Sequence, residues 1–248
     1  MEKRYKMHYL AVVVVLILLS SCSSMYLPNV PATPMLRNQG EVFVAGHVNP
    51  KGQLSGSAAV AMTDHVAILG SGSFVDHGMK SNDHLKQWLA EGAIGYYTKV
   101  GQQKKRTFEL YAGYGIGHSL QEDKRASTQG FEAVETREMD FNKIFLQVNY
   151  TSTRDRRINF LDKERELSYG TTIRINRIAM DSFQLNGADA AEEENFLIEP
   201  VFYTRLQLNK GLHLQYSSGF NIGFKNNEYL KAGNSILTLG LVYNFGRK

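Results

Sequence analysis

The feature that most constrains this chain is alternation with a period of two. In Ser235–Phe245 the large apolar residues Leu237, Leu239, Leu241, Tyr243 and Phe245 occupy every second position. Ile236, Thr238, Gly240, Val242 and Asn244 fall between them. Successive side chains of a strand point to opposite faces, so this text specifies a strand with two different environments. The same pattern recurs: Leu212, Leu214, Tyr216, Ser218, Phe220, Ile222 and Phe224 alternate with His213, Gln215, Ser217, Gly219, Asn221 and Gly223. Phe108, Leu110, Ala112, Tyr114 and Ile116 alternate with Thr107, Glu109, Tyr111 and three glycines, and Ile144, Leu146, Val148 and Tyr150 with Phe145, Gln147 and Asn149.

About ten such segments follow one another, starting near Gly40, Gln53, His65, Lys86, Arg106, Met139, Glu166, Asn195, Leu212 and Ser235. Most approach the ~9–11 residues that a tilted strand needs to cross a bilayer. No long helical periodicity competes with them, and a mean hydropathy of −0.30 excludes a helical multispan protein. The fold class is therefore all-β: a single antiparallel up-and-down barrel of about ten strands, eight to ten, over residues 40–248. Aromatics close the apolar faces (Trp88, Tyr96, Tyr114, Tyr150, Tyr216, Phe224, Tyr243, Phe245), as in the girdles of membrane barrels. Residues 63–64, 99–105 and 209–211 read as short turns, and 77–85, 119–138, 179–194 and 225–234 as longer loops. Short residues 49–52 and long residues 151–165 break that rhythm. Pro200 lacks a ladder donor, which implies a bulge or a misplaced strand there.

The first residues tell a separate story. Lys3, Arg4 and Lys6 precede an unbroken apolar run at 10–19 (LAVVVVLILL), and small residues surround Cys22. This is the order of a secretory signal, and the run is too short to span a membrane. Leu19, Ser20, Ser21 and Cys22 resemble the lipobox of bacterial lipoproteins. That resemblance implies a signal peptide over 1–21, cleavage before Cys22, a diacylglyceryl group on its sulfur, and an acylated (palmitate-type) amino terminus. Cys22 is the single cysteine, so no disulfide forms within the chain. Residues 22–39 hold Pro28, Pro31 and Pro34 and read as a lipidated N-terminus followed by an extended tether.

Taken together, the chain resembles the small outer-membrane β-barrel lipoproteins of Gram-negative bacteria. Tyr243 and Phe245 are similar to the aromatic C-terminal strand read by the barrel-assembly machinery, although Gly246, Arg247 and Lys248 follow where that family usually stops. The resemblance implies an outer-membrane, lipid-anchored protein, with membrane lipids and the barrel-assembly and lipoprotein-export machinery as partners. An even strand count puts both ends of a barrel on one side, so the N- and C-termini are expected on the periplasmic side.

Chemistry is confined to the face opposite the apolar one. Glu91, Glu109, Arg174, Glu199 and Arg205 should point into the lumen with Tyr97, Tyr111 and Tyr203. Charges there must pair or meet water. The preferred reading is a salt-bridge network plugging a narrow barrel, with glycines at 95, 113, 115, 117, 219 and 223 making room for bulky neighbours. A narrow polar pore is the functional alternative. No catalytic set emerges: His118, Ser119 and Glu122 have hydrolase residue types, but adjacent strand residues face opposite ways. The histidines show no metal-ligand spacing, although His77 and His84 share a loop with Asp76 and Asp83. The Glu192–Glu193–Glu194 run reads as a solvated surface. Net charge is only +4, with no stripe or motif for nucleic acid. No cofactor is expected beyond the covalent lipid.

Three function classes follow. The first is a non-enzymatic outer-membrane barrel with a structural, surface-interaction or narrow-channel role. The second is a periplasmic, lipid-anchored, lipocalin-like barrel for a small apolar ligand, which reverses the faces so that Leu237, Leu239 and Leu241 line a cavity. The third and most remote is an outer-membrane lipid-modifying enzyme.

Overall fold

The structure, a computed structural model, describes residues 24–78, 83–101, 106–127, 130–160 and 163–246. Cys22 and the leader lie outside the described residues. The elements are β1 (Val42–Val48), β2 (Leu54–Ala61), β3 (Val66–Gly78), β4 (Asp83–Val100), β5 (Arg106–Ser127), β6 (Gly130–Phe160), β7 (Lys163–Leu185), β8 (Ala188–Asp189), β9 (Glu194–Asn209), β10 (Leu212–Phe220), β11 (Ile222–Gly223) and β12 (Ser235–Phe245). Every pairing is antiparallel. Strands β1–β7, β9, β10 and β12 form a ring of ten, closed where Val42 of β1 meets Phe245 of β12. Closure leaves no edge among the ring strands to recruit another chain.

The faces sort as the alternation requires. Leu237, Leu239 and Leu241 point outward and are 42%, 49% and 52% exposed. Ile94, Tyr114, Ile144, Leu146, Ile173, Ile175 and Phe202 join them around the wall. The lipocalin-like arrangement, which needs those leucines inside, is not the one adopted. The inward face is polar or small: Ser55, Ser57, Ser73, Gln87, Thr107, Gln147, Asn149, Thr172, Asn176 and Gln215 are buried. Glycine makes room for inward bulk on the next strand. A β-carbon on Gly113 would strike the Phe145 ring and come within 2.6 Å of the Gly92 carbonyl oxygen. One on Gly117 would strike the Phe141 ring, and one on Gly95 the Tyr111 ring.

Four expectations about connections and strand continuity are corrected. Residues 77–85 are not a longer loop, since His77 pairs with Leu85 and Gly78 with His84. Residues 119–138 are not a long loop: β5 and β6 stay paired out to Ser127 and Gly130. Residues 151–165 are not one either, since β6 and β7 pair out to Phe160 and Lys163. A ladder exposed to water on both faces needs no apolar face, and cross-strand charges support these hairpins, as in Arg137–Asp123 at 2.8 Å and Arg157–Glu164 at 3.4 Å. The 31 residues of β6 extend ~100 Å at ~3.3 Å each, far more than a ~30 Å hydrocarbon core requires. Fourth, Pro200 neither bulges nor displaces its strand. Gly219 pairs with Val201 and Ile222 with Ile198 in one register. The ladder merely lapses opposite the missing N–H, which is why β10 and β11 are separate.

The segment before β1 is extended, as its prolines require, and it lies inside the ring. Every residue from 24 to 36 is buried. Gly40 and Gly246 meet at one mouth of the barrel. Ser24 sits at the other, where its hydroxyl donates to the Lys231 carbonyl at 2.6 Å. The two ends of the described chain are thus at opposite mouths, contrary to the expectation of a shared side. Strand parity fixes only where β1 starts and β12 stops; it says nothing of a segment that runs back through the lumen.

Candidate functional site, the occupied lumen

The inward charges and the N-terminal segment form one polar interior. A proline-rich stretch cannot join a wall by a regular ladder, because three of its residues lack the donor N–H. Wall side chains take over that role. The Gln87 amide accepts from Leu27 N–H and donates to Leu27 C=O, each at 2.8 Å. Gln147 and Asn149 donate to the Ala32 carbonyl at 2.7 and 3.1 Å. Asn234 donates to Tyr26 C=O at 2.7 Å, Asn244 to Pro34 C=O at 3.1 Å, and Ser119 to Met25 C=O at 2.7 Å.

Two charged layers cross this axis. In the first, Glu91 from β4 accepts from Arg174 of β7 at 3.1 Å and lies 2.8 Å from Lys143 Nζ of β6. Ser71 and Asn29 also donate to Glu91, at 2.9 and 3.2 Å. Lys143 donates to the Tyr26 hydroxyl at 2.8 Å, and Tyr26 donates to Glu199 of β9 at 3.2 Å. Glu199 Oε2 is 4.0 Å from Lys143 Nζ. Two carboxylates thus face two cations, and all four side chains are fully buried. A tyrosine of the threaded segment completes the circuit.

The second layer lies toward the mouth of Gly40. Glu109 accepts from Leu36 N–H at 3.1 Å, Asn149 at 3.0 Å and the Tyr111 hydroxyl at 3.3 Å. Arg205 donates to Gln215 at 2.6 Å and to the Thr33 carbonyl at 2.7 Å. Tyr203 meets the Thr151 hydroxyl. Tyr97 reaches the Thr63 carbonyl at 2.5 Å, at the rim. The structure thus brings Glu91, Arg174 and Glu199 together and assigns Glu109 and Arg205 to a separate layer, each holding the backbone of the segment.

The far mouth is capped. Met25 and Tyr26 pack with Leu89, Met139, Phe141, Ile178, Met180, Phe183, Leu197 and Leu230. Glu193 accepts the backbone N–H groups of Glu228, Tyr229 and Leu230 at 2.7–3.0 Å, which folds residues 225–234 over the opening. Glu194 pairs with Arg177 at 2.6 Å and Lys225 at 2.5 Å. The acidic run therefore fastens loops rather than forming a merely solvated surface.

Lys143 and Tyr26 escaped the sequence reading. Lys143 was within reach: the inward series Phe145, Gln147, Asn149 extends backward by two to reach it. The segment carried a weaker signal, in the apolar residues Met25, Tyr26, Leu27, Val30, Met35 and Leu36 placed where a solvated tether has no use for them.

His118 and Ser119 lie on opposite faces of β5. His118 bonds Asp140 on the outside at 3.0 Å, whereas Ser119 points inward to Met25. Among the described residues no group of three or more His, Cys, Asp and Glu is placed to hold a metal ion. Outside the wall, above Phe74 and Trp88, His84 bridges Asp76 at 2.9 Å and Glu122 at 3.2 Å. The hydrogen bond to Asp76 raises its pKa, burial opposes that, and the bond to Glu122 adds to the rise.

No protein-family model matches the chain, and no curated protein matches it. Among solved structures it is similar to the translocator domain of the autotransporter NalP from Neisseria meningitidis, at 11% identity and a TM-score of 0.41, covering 82% of this chain and 86% of that one. It is also similar to the ferripyoverdine receptor of the outer membrane of Pseudomonas aeruginosa, at 10% identity and a TM-score of 0.26, covering 86% of this chain and 41% of the receptor.

Proposed function

We propose that this is a lipid-anchored integral barrel of the outer membrane, closed by its own N-terminal segment, with a structural or surface-interaction role and no catalysis. The carrying observation is the pairing of an apolar, aromatic-edged outer wall with a lumen filled by residues 24–36. A soluble monomer rarely exposes an apolar patch beyond a few hundred Å², about the span of a handful of side chains. Here the apolar positions run around the whole wall. Membrane lipid is the partner that such a surface fits, and the barrel-assembly and lipoprotein-export machineries are the routes that place it there. Occupancy of the lumen by residues 24–36 argues against a standing channel and against a lipocalin-like ligand held in the same space.

The test is the Cys22→Ala form expressed behind a cleavable non-lipid signal. Its membranes are washed with carbonate and run unboiled and boiled on a denaturing gel. Retention with a heat-dependent shift in mobility supports a spanning barrel. Release into the wash would show that lipid was the only anchor. In planar bilayers the intact protein should be silent, and a form lacking residues 24–36 should conduct.

A further inference from the structure

The N-terminal segment passes through the wall's interior once, in one direction. Its contacts on β5 move from Ser119, at Met25, to Glu109, at Leu36. Those ten residues of strand cover ~33 Å at ~3.3 Å each, about the thickness of a hydrocarbon core. Intermediate contacts keep the order: Leu27 with Gln87, Asn29 with Ser71, Ala32 with Gln147, Thr33 with Arg205. The chain then emerges at Arg37, whose N–H bonds Glu41 at 3.0 Å, and enters β1. Ser24, the first described residue, therefore sits at the mouth opposite the one that holds Gly246.

We propose that the lipid-bearing end of the chain is delivered to the membrane leaflet opposite the C-terminus, so that the acyl chains on Cys22 enter the outer leaflet at the cell surface. This rests on the lipid anchor proposed above. Two residues reach at most about 7 Å, so Cys22 cannot return to the mouth of Gly40 from Ser24. That mouth has the short connections at residues 62–65 and 210–211, beside the β6–β7 hairpin that pairs out to Phe160 and Lys163, and short turns suit the periplasmic end of a barrel. The far mouth carries the longer β10–β12 and β7–β9 connections and the β5–β6 hairpin. The occupant of the far rim is thus a lipid leaflet, and the anchor becomes a surface anchor.

Two introduced cysteines read the orientation without touching the threaded segment: Asn226→Cys at the far mouth and Lys210→Cys at the near one, both exposed sites, each compared with the unsubstituted protein for labelling of Cys22. A short epitope inserted between Ser23 and Ser24, compared with one after Lys248, reads the threading. Each variant must keep the heat-modifiable band. On intact cells an impermeant maleimide should label Asn226→Cys as fully as after permeabilisation, and the N-terminal epitope should be detected. Lys210→Cys and the C-terminal epitope should respond only after permeabilisation. Mass spectrometry should find the lipid on Cys22. Labelling of Lys210→Cys instead would overturn the orientation. A shielded N-terminal epitope beside a labelled Asn226→Cys would overturn the threading. Absence of lipid with the expected labelling would sink the anchor reading, and this proposal with its premise, while the topology stood.

Discussion

Gln87 treats Leu27 as a neighbouring strand would, accepting from its N–H and donating to its C=O at the same 2.8 Å. One side chain so replaces a rung of ladder for a segment that cannot form one. In Gln87→Met both backbone groups lose their partner inside a water-poor lumen. Each orphan costs about 1–3 kcal/mol. The denaturant midpoint of the detergent-solubilised barrel should fall accordingly, with the fold retained; an unchanged midpoint would mean the segment is not held there.

Lys143 gives a stronger prediction. It is the cation shared by Glu91 and Glu199, and among the described residues Glu199 Oε2 has no hydrogen-bond partner of its own. Lys143→Met leaves an excess negative charge in the first layer, a loss of about 3–5 kcal/mol. Adding Glu199→Gln restores neutrality around Glu91 and Arg174. The double variant should then be more stable than the single one, a coupling that a double-mutant cycle reads directly.

Glycine has opposite meanings on the two faces. Gly113→Ala pushes a methyl group against Phe145 and the Gly92 carbonyl, and overpacking of that kind costs about 1–3 kcal/mol. Gly46→Ala points outward, with nothing within 4 Å of the added carbon, and should change stability by less than about 0.5 kcal/mol. Equal effects from the two would contradict the assignment of faces.

The His84 bridge makes a pH-dependent contribution beyond the apolar band of the wall. Its folded pKa is raised from 6.5, first through the Asp76 hydrogen bond. Stabilisation is then fully present below the unfolded value and is lost as pH rises through the folded one. The partners Asp76 and Glu122 are shifted down, and they lose their contribution only as pH falls through their own folded values. A comparison of wild type with His84→Gln by thermal melting should show the larger gap below the unfolded value of 6.5, shrinking as pH rises above it. A gap independent of pH would remove the charge from the explanation.

Much of this was legible in the amino acids, and the limits have physical causes. The alternation in Ser235–Phe245 faithfully reports a wall between two media, so the sidedness of Leu239 and Glu91 could be read directly. Strand extent could not be read at residues 119–138, because both faces there are wet and the periodicity vanishes while the hydrogen bonds continue. The charged residues of the lumen could be named but not paired. Pairing depends on which rows of neighbouring strands coincide, and a one-residue error in register moves Arg174 away from Glu91. The role of residues 24–36 was hidden for another reason. Proline reports an extended backbone and says nothing of what surrounds it.

The ring is completed where Val42 meets Phe245, the first and last strands of the barrel, and the segment inside is covalently continuous with one side of that seam. A wall already shut could admit the segment only end first, past the Tyr97 rim and both charged layers. A wall that shuts last has no such passage to make. The segment then serves as a mandrel: strands are wound around it, and each inward carboxylate or guanidinium leaves water directly for its final partner. In such an assembly the interior is never an empty tube, and the seam between β1 and β12 is the latch that records completion.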